Sequence, residues 1–498
     1  MEIAAESKRK ERREDQEGSH ERDLRGGTVC AVAHRSRKDM ITSIPSNSPT
    51  TICSQSTAGF MRHLSAPDAS RPPERVAADV AIVGGGPVGC ATALAFARSG
   101  RRVCLIDAAA PSGRLAGEWL HPTGVGVLAT LGVDLTTAGL PHTRGRGFAI
   151  FPKSAEPIVL PYVGGEFGVG CQHHLLVEAL RGAIATHREI TVLSGCRVSQ
   201  VARGEVTAVT PERDRTIPIS AKLIVGADGR QSVVRQALGY SGACQPVSYM
   251  AGVLIDAAAL PFSEFGNVFL GGPGPALAFR VNETQARVCI DVPADRVAWI
   301  RCPVALLAAY RQTLPKSIHD ACGRALASGP PAVAANQWLR RRRYGRTGIA
   351  LVGDAVGHCH PLCAVGMSVG FLDAITLANS SSVEEYAAAR RAEGRVPELL
   401  SMGLYDLFAS SDAGSAELRE AVYHLWRTSA AARRDTMRLL ALREMRQTAL
   451  GVTFARLLTA ASKRVAAGVF GRPITKTLAT VAGFGRWTGW YARESFAR

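Results

Sequence analysis

The turn Gly84-Gly85-Gly86-Pro87-Val88-Gly89 constrains this chain more than any other feature. It follows an apolar run of strand length, Ala78 to Val83, and precedes an Ala/Leu-rich stretch that stops at Gly100. Arg102 to Ile106 is a second apolar run and closes on Asp107. Strand, glycine turn, helix and strand within about 30 residues make a β-α-β unit. A lone GxGxxG is weak evidence, but in this setting it is a dinucleotide-binding fingerprint. Gly84 permits the tight turn, Gly86 lets a pyrophosphate approach the backbone, and Gly89 lets the helix pack on the sheet. The helix N-terminus offers N–H groups and a positive dipole end. Pro87 has no N–H, so Val88 and Gly89 carry more of that contact. Asp107 lies 23 residues after Gly84, where a carboxylate meets ribose hydroxyls.

At 498 residues the chain has room for two or three domains. Its net charge of +17 favours anionic partners. Twelve cysteines are too sparse for a disulfide scaffold and imply a reducing, cytoplasmic setting. No apolar run reaches the roughly 18 residues of a spanning helix, which excludes a polytopic channel or transporter. A protein lying on a membrane surface remains open. Residues 1–75 are highly charged, then Ser/Thr-rich, and are expected to be disordered. They lack the apolar core of a secretory signal, and early Glu and Asp argue against a transit peptide. An over-extended start, with Met61 as the real beginning, is the plainer reading.

Two later motifs decide between nucleotides. One is Leu223-Ile224-Val225-Gly226-Ala227-Asp228-Gly229, followed by Ser232 and Arg235. The other is Gly348-Ile349-Ala350-Leu351-Val352-Gly353-Asp354-Ala355, followed by His360-Pro361 and Gly366-Met367. Each is an apolar strand ending in a small residue and a carboxylate. Asp354 is placed to bind a ribityl hydroxyl. The helix beginning near Gly366 can turn its N–H dipoles toward the flavin N1–C2=O edge. Three such motifs in this order resemble the single-component, FAD-dependent monooxygenases. Arg114-Leu115-Ala116-Gly117-Glu118-Trp119-Leu120-His121-Pro122-Thr123-Gly124, with Leu128, Leu131 and Gly132, is similar to the squalene epoxidase pattern within that family. The resemblance runs from about residue 78 to 400 and includes two strands, PALAFRVN and QARVCIDV.

The resemblance implies several cofactor contacts. Asp107 takes the ribose role, where the family usually has Glu. Arg114 and Trp119 line the isoalloxazine, Arg181 reaches the cofactor from its helix, and main chain near Arg197 touches the adenine. Asp354 and Met367 take the ribityl and flavin roles, while Asp228 supports the fold and the approach of a pyridine nucleotide. There are departures. A tyrosine that the family places after a glycine near the flavin is Phe148 here. Three glycines before the methionine become Ala364-Val365-Gly366, and the Arg before His-Pro becomes Cys359. The lost hydroxyl puts squalene itself in doubt as substrate.

Other signals have plainer readings. His358-Cys359-His360-Pro361-Leu362-Cys363 resembles a metal cluster, but it lacks the spacing of a zinc site, so no metal is expected. Arg340 to Arg343 reads as a solvated edge, with NADPH or lipid phosphate as the alternative. Cys90 and Cys104 read as small core residues. No serine or carboxylate is arranged with a histidine as a triad. Residues 421–498 hold fourteen basic and three acidic side chains. They read as amphipathic helices, Met437–Ala449 and Val452–Val469, followed by Trp487, Trp490 and Tyr491. Such helices suit an anionic membrane interface, in a peripheral or monotopic position on the cytoplasmic side, as the resemblance also implies. The alternative is a packed helical subdomain. No nucleic-acid motif accompanies the charge, so no nucleic acid is expected.

The expected fold is α/β: a Rossmann-type FAD-binding domain (GR2-like) with an inserted β-sheet substrate domain and a C-terminal helical tail. Residues 76–400 form the monooxygenase part, with the substrate domain at about 240–340, and 401–498 form the tail. The resemblance implies oxygen insertion through a flavin C4a-hydroperoxide into an apolar, terpenoid-like small molecule, with O2 as co-substrate. A flavin-dependent reductase or desaturase of a polyprenyl substrate is the alternative, as is an FAD electron carrier on the membrane. No second GxGxxG is present for NADPH or NADH, so a nicotinamide would bind transiently or a reductase partner would serve.

Overall fold

The computed structural model describes residues 75–108, 115–136, 139–153, 155–211, 215–240, 246–468 and 473–496. The expected disorder of the N-terminal extension therefore falls almost wholly outside the described residues. The chain from β1 (Val76–Val83) through α1 (Pro87–Arg98) to β2 (Val103–Asp107) is the β-α-β unit. Next come β3 (Trp119–Leu120), α2 (Pro122–Thr130), β4 (His142–Gly145), β5 (Gly147–Phe151), β6 (Ile158–Pro161) and β7 (Gly168–Cys171). α3 (His173–Ala185), β8 (Ile190–Ser194), β9 (Arg197–Ala202), β10 (Glu205–Val209), β11 (Thr216–Gly226) and α4 (Val233–Ala237) follow. Then β12 (Pro246–Asp256), β13 (Gly266–Phe269), β14 (Ala276–Arg280) and β15 (Gln285–Pro293) precede α5 (Pro303–Tyr310) and α6 (Lys316–Ser328). β16 (Ala332–Gln337), β17 (Gly345–Arg346) and β18 (Ile349–Leu351) lead to α7 (Gly366–Asn379). The last helices are α8 (Val383–Ala409), α9 (Ala413–Thr428), α10 (Ala430–Leu440), α11 (Gln447–Ala467) and α12 (Ile474–Phe496).

The first sheet runs β17-β18-β11-β1-β2-β8, with β10 and β9 added beside β11. β1 pairs in parallel with β11 and β2, and β2 in parallel with β8. Its central strands are buried on both faces, which is why they read as continuous apolar runs. Two glycines are required here. Gly84 sits at φ +108° with an imaginary Cβ 2.6 Å from the Ala227 carbonyl oxygen. A Cβ on Gly89 would fall 1.8 Å from the Gly84 oxygen, so no other residue lets α1 start so close to the turn. Pro87 opens α1 at a position whose N–H needs no partner within the helix.

The second sheet runs β16-β12-β15-β14-β13-β5-β6, so two strands from near residue 150 join those from 246–337. Its faces alternate with the pleat. Ala276, Ala278, Val288 and Ile290 pack with Leu306 of α5 and Ile318 of α6. Leu277, Phe279, Phe148 and Leu160 face the other way, into a cluster shared with Tyr405, Leu418 and Trp426 of α8 and α9. The C-terminal helices thus cover one face of this sheet. A small third sheet, β3-β7-β4, carries Trp119.

The tail differs from expectation in detail. The helix expected at Met437–Ala449 breaks after Leu440, where Leu442 takes a left-handed φ of 58°, and α11 starts at Gln447. Val469, the expected end of the next helix, lies outside the described residues. Leu439, Leu440, Leu442 and Leu450 are core residues, not an exposed apolar face. Among the described residues of the tail, the large apolar side chains that do stand exposed are Val452 on α11 and Ile474, Leu478 and Val481 on α12. No helix among the described residues is long and apolar enough to cross a membrane.

Candidate active site

Gly86 is the extended N-cap of α1, and no side chain caps that helix. Its first-turn N–H groups, including those of Val88 and Gly89, are left for an acceptor outside the helix. Asp107 ends β2 beside Gly85. Arg181 of α3 donates to the Asp107 carboxylate and, at 3.4 Å, to the Gly85 carbonyl. The two residues expected at the ribose end therefore form an ion pair with each other. Arg197 begins β9 with its side chain exposed. The pairing of Asp107 with Ser194 puts the turn before Arg197 next to the end of β2. Arg114 lies outside the described residues.

The Gly353 backbone lies against Val88, so the second carboxylate motif meets the glycine turn directly. Asp354 is about one-third exposed, and His358 Nδ1 lies 3.0 Å from its Oδ2. Burial would raise this carboxyl, but the His358 contact, with Arg230 and Arg341 nearby, holds it below the usual range. It is therefore an anion with room for a further hydroxyl. Asp228 is turned otherwise. Its Oδ2 accepts the Val233 N–H at 2.7 Å at the start of α4, and burial pushes its carboxyl up. Gly366 opens α7, which has no side-chain cap, and Met367 packs on Gly117. Two uncapped helix N-termini, a carboxylate at the end of β2 and a partly open Asp354 suit the pyrophosphate, ribose and ribityl groups of FAD, so the residues present fit that cofactor.

The arginine run is a solvated edge only in part, with Arg343 exposed. Arg341 is buried and donates to the carbonyls of Gly353 at 2.8 Å and Gly357 at 3.0 Å. It also binds Asp373 of α7. Asp373 accepts the Gly353 N–H at 2.9 Å and Arg390 Nε at 2.8 Å. Arg340 binds Glu494 of α12, and Arg343 lies over the Tyr240 ring at 5.0 Å. Two arginines and one aspartate thus fix the Gly353-Asp354 loop from behind. Asp373 and Arg390 were not anticipated from the sequence; Asp373, a lone charge in the apolar α7, is itself a sign of buried pairing, whereas Arg390 lies in a charged stretch of α8 that gives no such sign.

Beside this loop lies an aromatic cluster. Trp119, Phe148, Tyr162 and Phe279 pack with Cys359, Leu362, Cys363, Val365 and Val369. Trp119 is buried and its indole edge is engaged, with Nε1 donating to the Tyr162 hydroxyl at 3.1 Å. That hydroxyl lies 2.9 Å from His121 Nδ1, and His121 Nε2 lies 2.7 Å from the Cys363 carbonyl. An indole N–H only donates and a carbonyl only accepts, which fixes the direction of every bond. Tyr162 donates to Nδ1, and Nε2–H donates to Cys363. Burial pushes His121 down to about 4, against the pull of the Cys363 carbonyl, so the ring is neutral at pH 7. The carbonyl it holds precedes Ala364, a non-glycine residue at φ 52°.

A second buried set joins the second sheet to the turn at His360. Ser248 Oγ and Asn336 Nδ2 donate to Asp291 Oδ2 at 2.7 and 2.8 Å, and His360 Nε2 lies 3.1 Å away. The sequence reading found no serine, histidine and carboxylate together, yet the fold assembles them. They are not a nucleophilic triad. His360 Nδ1 accepts the Leu362 N–H, so Nε2 carries the proton and cannot take one from Ser248. The set ties the His360-Pro361 turn to β12, β15 and β16. Glu118 and Arg287, bonded at 2.7 and 2.9 Å, tie the β3 segment to the same sheet. No group of three metal-ligating side chains occurs among the described residues.

Fold and site together define an FAD-binding oxidoreductase of the monooxygenase type. The family model described as FAD binding domain matches residues 77–382, and the chain belongs to that family. Within it the chain resembles the squalene monooxygenases. Squalene monooxygenase of Eremothecium gossypii is 26% identical over 398 residues, covering 68% of this chain and 78% of that protein. Squalene epoxidase 2, mitochondrial, of Arabidopsis thaliana is 28% identical over 389 residues, covering 69% of this chain but only 63% of its own length. Among solved structures, p-nitrophenol 4-monooxygenase PnpA from Pseudomonas putida matches with TM-score 0.61 and 16% identity, over 75% of this chain and 100% of that one. PqsL, a probable FAD-dependent monooxygenase from Pseudomonas aeruginosa, matches with TM-score 0.57 and 18% identity, over 72% and 99%. These two show the fold.

Proposed function

We propose that this enzyme inserts one oxygen atom of O2 into an apolar, terpenoid-like small molecule, by epoxidation or hydroxylation. One observation carries the reading. The cluster packed on the Cys359–Val369 loop is aromatic and aliphatic, and its titratable His121 and Tyr162 are spent on each other. An alkene needs no proton removed before oxygen transfer, whereas a phenol is helped by a base. FAD supplies the reaction with O2 when bound and reduced. The chain binds and orients it: Val88 and Gly89 through N–H groups at the pyrophosphate, Asp107 at the ribose, Asp354 at the ribityl chain. The buried cluster keeps water away. Relatives named squalene monooxygenase support an apolar hydrocarbon substrate. Phe148 stands where the resemblance implies a tyrosine.

NADPH or NADH is the proposed electron source, directly or through a reductase. The exposed Val452, Ile474, Leu478 and Val481, set among basic residues on α11 and α12, favour a peripheral or monotopic seat on an anionic membrane. The test is incubation of purified holoprotein with a lipid extract, O2 and NADPH, with and without a reductase. Substrate-dependent O2 uptake and a product heavier by one oxygen are expected. Flavin turnover that reduces or desaturates a polyprenyl chain without O2 would replace this reading.

A further inference from the structure

The aromatic end of α12 turns inward, not out toward a lipid interface. Trp487 Nε1 donates to Ser415 Oγ of α9 at 2.9 Å. Trp490 lies on Gly403 of α8, and Tyr491 stacks on Phe454 of α11 with ring centroids 4.7 Å apart. Between these helices and α10 is a cavity of about 900 Å³. Folded interiors keep few voids larger than a water molecule. Small-molecule sites, by contrast, span roughly 300–1,000 Å³ and are mostly apolar with a few placed polar groups. The walls here include Leu404, Leu418, Val422, Leu457 and Trp490. Val452 both lines the cavity and is half exposed, so the cavity reaches the surface there.

One part of the wall is cationic. Lys463 and Arg464 of α11 line the cavity, and neither is paired with a carboxylate among the described residues. Arg456, about two turns earlier, differs, because it is paired with Asp435 at 2.8 Å. The one carboxylate on the cavity wall, Asp435, is taken by Arg456. Two cations left without a carboxylate beside apolar walls favour an anionic group there. An anion whose remainder fills the apolar space is an amphiphile.

We propose that the chamber formed by α8–α12 binds one amphiphile, a long hydrocarbon chain with an acidic head, its chain along Leu404 and Leu457 and its head at Lys463 and Arg464. The site is separate from the flavin. Tyr405, on another face of α8, stacks on His360 at 3.8 Å, so that helix stands between the two.

The test is a fluorescence titration of purified holoprotein with monomeric cis-parinaric acid and, in parallel, with its methyl ester. Saturable binding of one acid per chain is expected. Leu404→Trp and Leu457→Trp, each filling the chamber at a partly buried position, should weaken it at least about tenfold. Arg464→Gln should weaken the acid about tenfold and leave the ester unchanged, as loss of a charge-assisted bond requires. FAD content and unfolding temperature show that each variant is folded, and two filling variants guard against one that is not. Equal binding of acid and ester, no saturable binding, or full binding by both folded, filled variants would overturn the proposal. Because the readout is equilibrium binding and not turnover, it fails or succeeds independently of the oxygen-insertion reading.

Discussion

The Tyr162 hydroxyl and His121 Nδ1 lie 2.9 Å apart in a buried cluster, joining residues 41 positions apart in the chain. This bond completes a one-way series from the Trp119 indole to the Cys363 carbonyl. It also gives the cluster a hydroxyl close to Phe148, whose ring lies 6.3 Å from that of Tyr162. The carbonyl at the end of the series anchors the residue before Ala364, which holds a left-handed conformation costing an L-residue about 1–2 kcal/mol.

Tyr162→Phe should therefore cost about 1–3 kcal/mol of stability, because it strands Trp119 Nε1 and His121 Nδ1 away from water. FAD affinity should fall with it. Ala364→Gly, which relieves the left-handed turn, should restore part of the affinity in the double variant. Thermal unfolding and flavin titration check both. A neutral Tyr162→Phe would show that the series anchors nothing.

Asp373→Asn should be more damaging, since Arg341 and Arg390 would lose the shared charge that makes their burial tolerable. Removing one partner of a buried ion pair costs about 3–5 kcal/mol. The folded fraction should bind FAD poorly, because Asn leaves one acceptor oxygen for the three donors Gly353 N–H, Arg341 and Arg390 and so holds the Gly353 loop less firmly. Asp354→Ala should lower FAD affinity by about tenfold or more through loss of a charge-assisted contact, while Asp228→Ala should act mainly on stability by leaving the Val233 N–H at the start of α4 without its acceptor. Equal affinity losses at Asp354 and Asp228 would contradict these assignments.

Stability should depend on pH with two opposite contributions. Burial pushes Asp406 up to about 6, so its contribution is full below the unfolded value near 3.9 and lost as pH rises through 6. His121 is pushed down to about 4, so its contribution is full above roughly 6.5 and lost as pH falls through 4. Asp406→Asn should thus stabilise the protein by about 1–3 kcal/mol at pH 8 and leave it unchanged at pH 4. Denaturant titration at both values decides it, and an equal effect at both would refute the assignment.

Gly483→Ala should separate α12 from α9. A Cβ there would fall 2.6 Å from the Gly414 Cα, with backbone on both sides and nothing flexible to yield. Loss of stability together with loss of the Trp487 fluorescence environment is expected. Unchanged spectra and stability would mean that the helices do not cross this closely.

Much of the nucleotide end was legible because glycines at 84, 86 and 89 act locally, through turn conformation and close packing. A dinucleotide fold follows from residue types within one short window. What was not legible depends on distance in sequence. Nothing near Arg341 says that Asp373 and Arg390 will enclose it, so four successive arginines read as a solvated edge. Nothing near Tyr162 announces His121. The tail misled in another way, because Leu439, Leu440 and Leu450 have the spacing of an apolar face whether they meet lipid or neighbouring helices. Only the packing of α8–α12 distinguishes the two.

The most direct test of oxygen insertion is mass analysis of product formed under 18O2 from the apolar terpenoids of a lipid extract, with NADPH and a reductase supplied. One 18O atom in each product molecule and none from labelled water is expected. A product carrying no label, made while the flavin turns over, would contradict it.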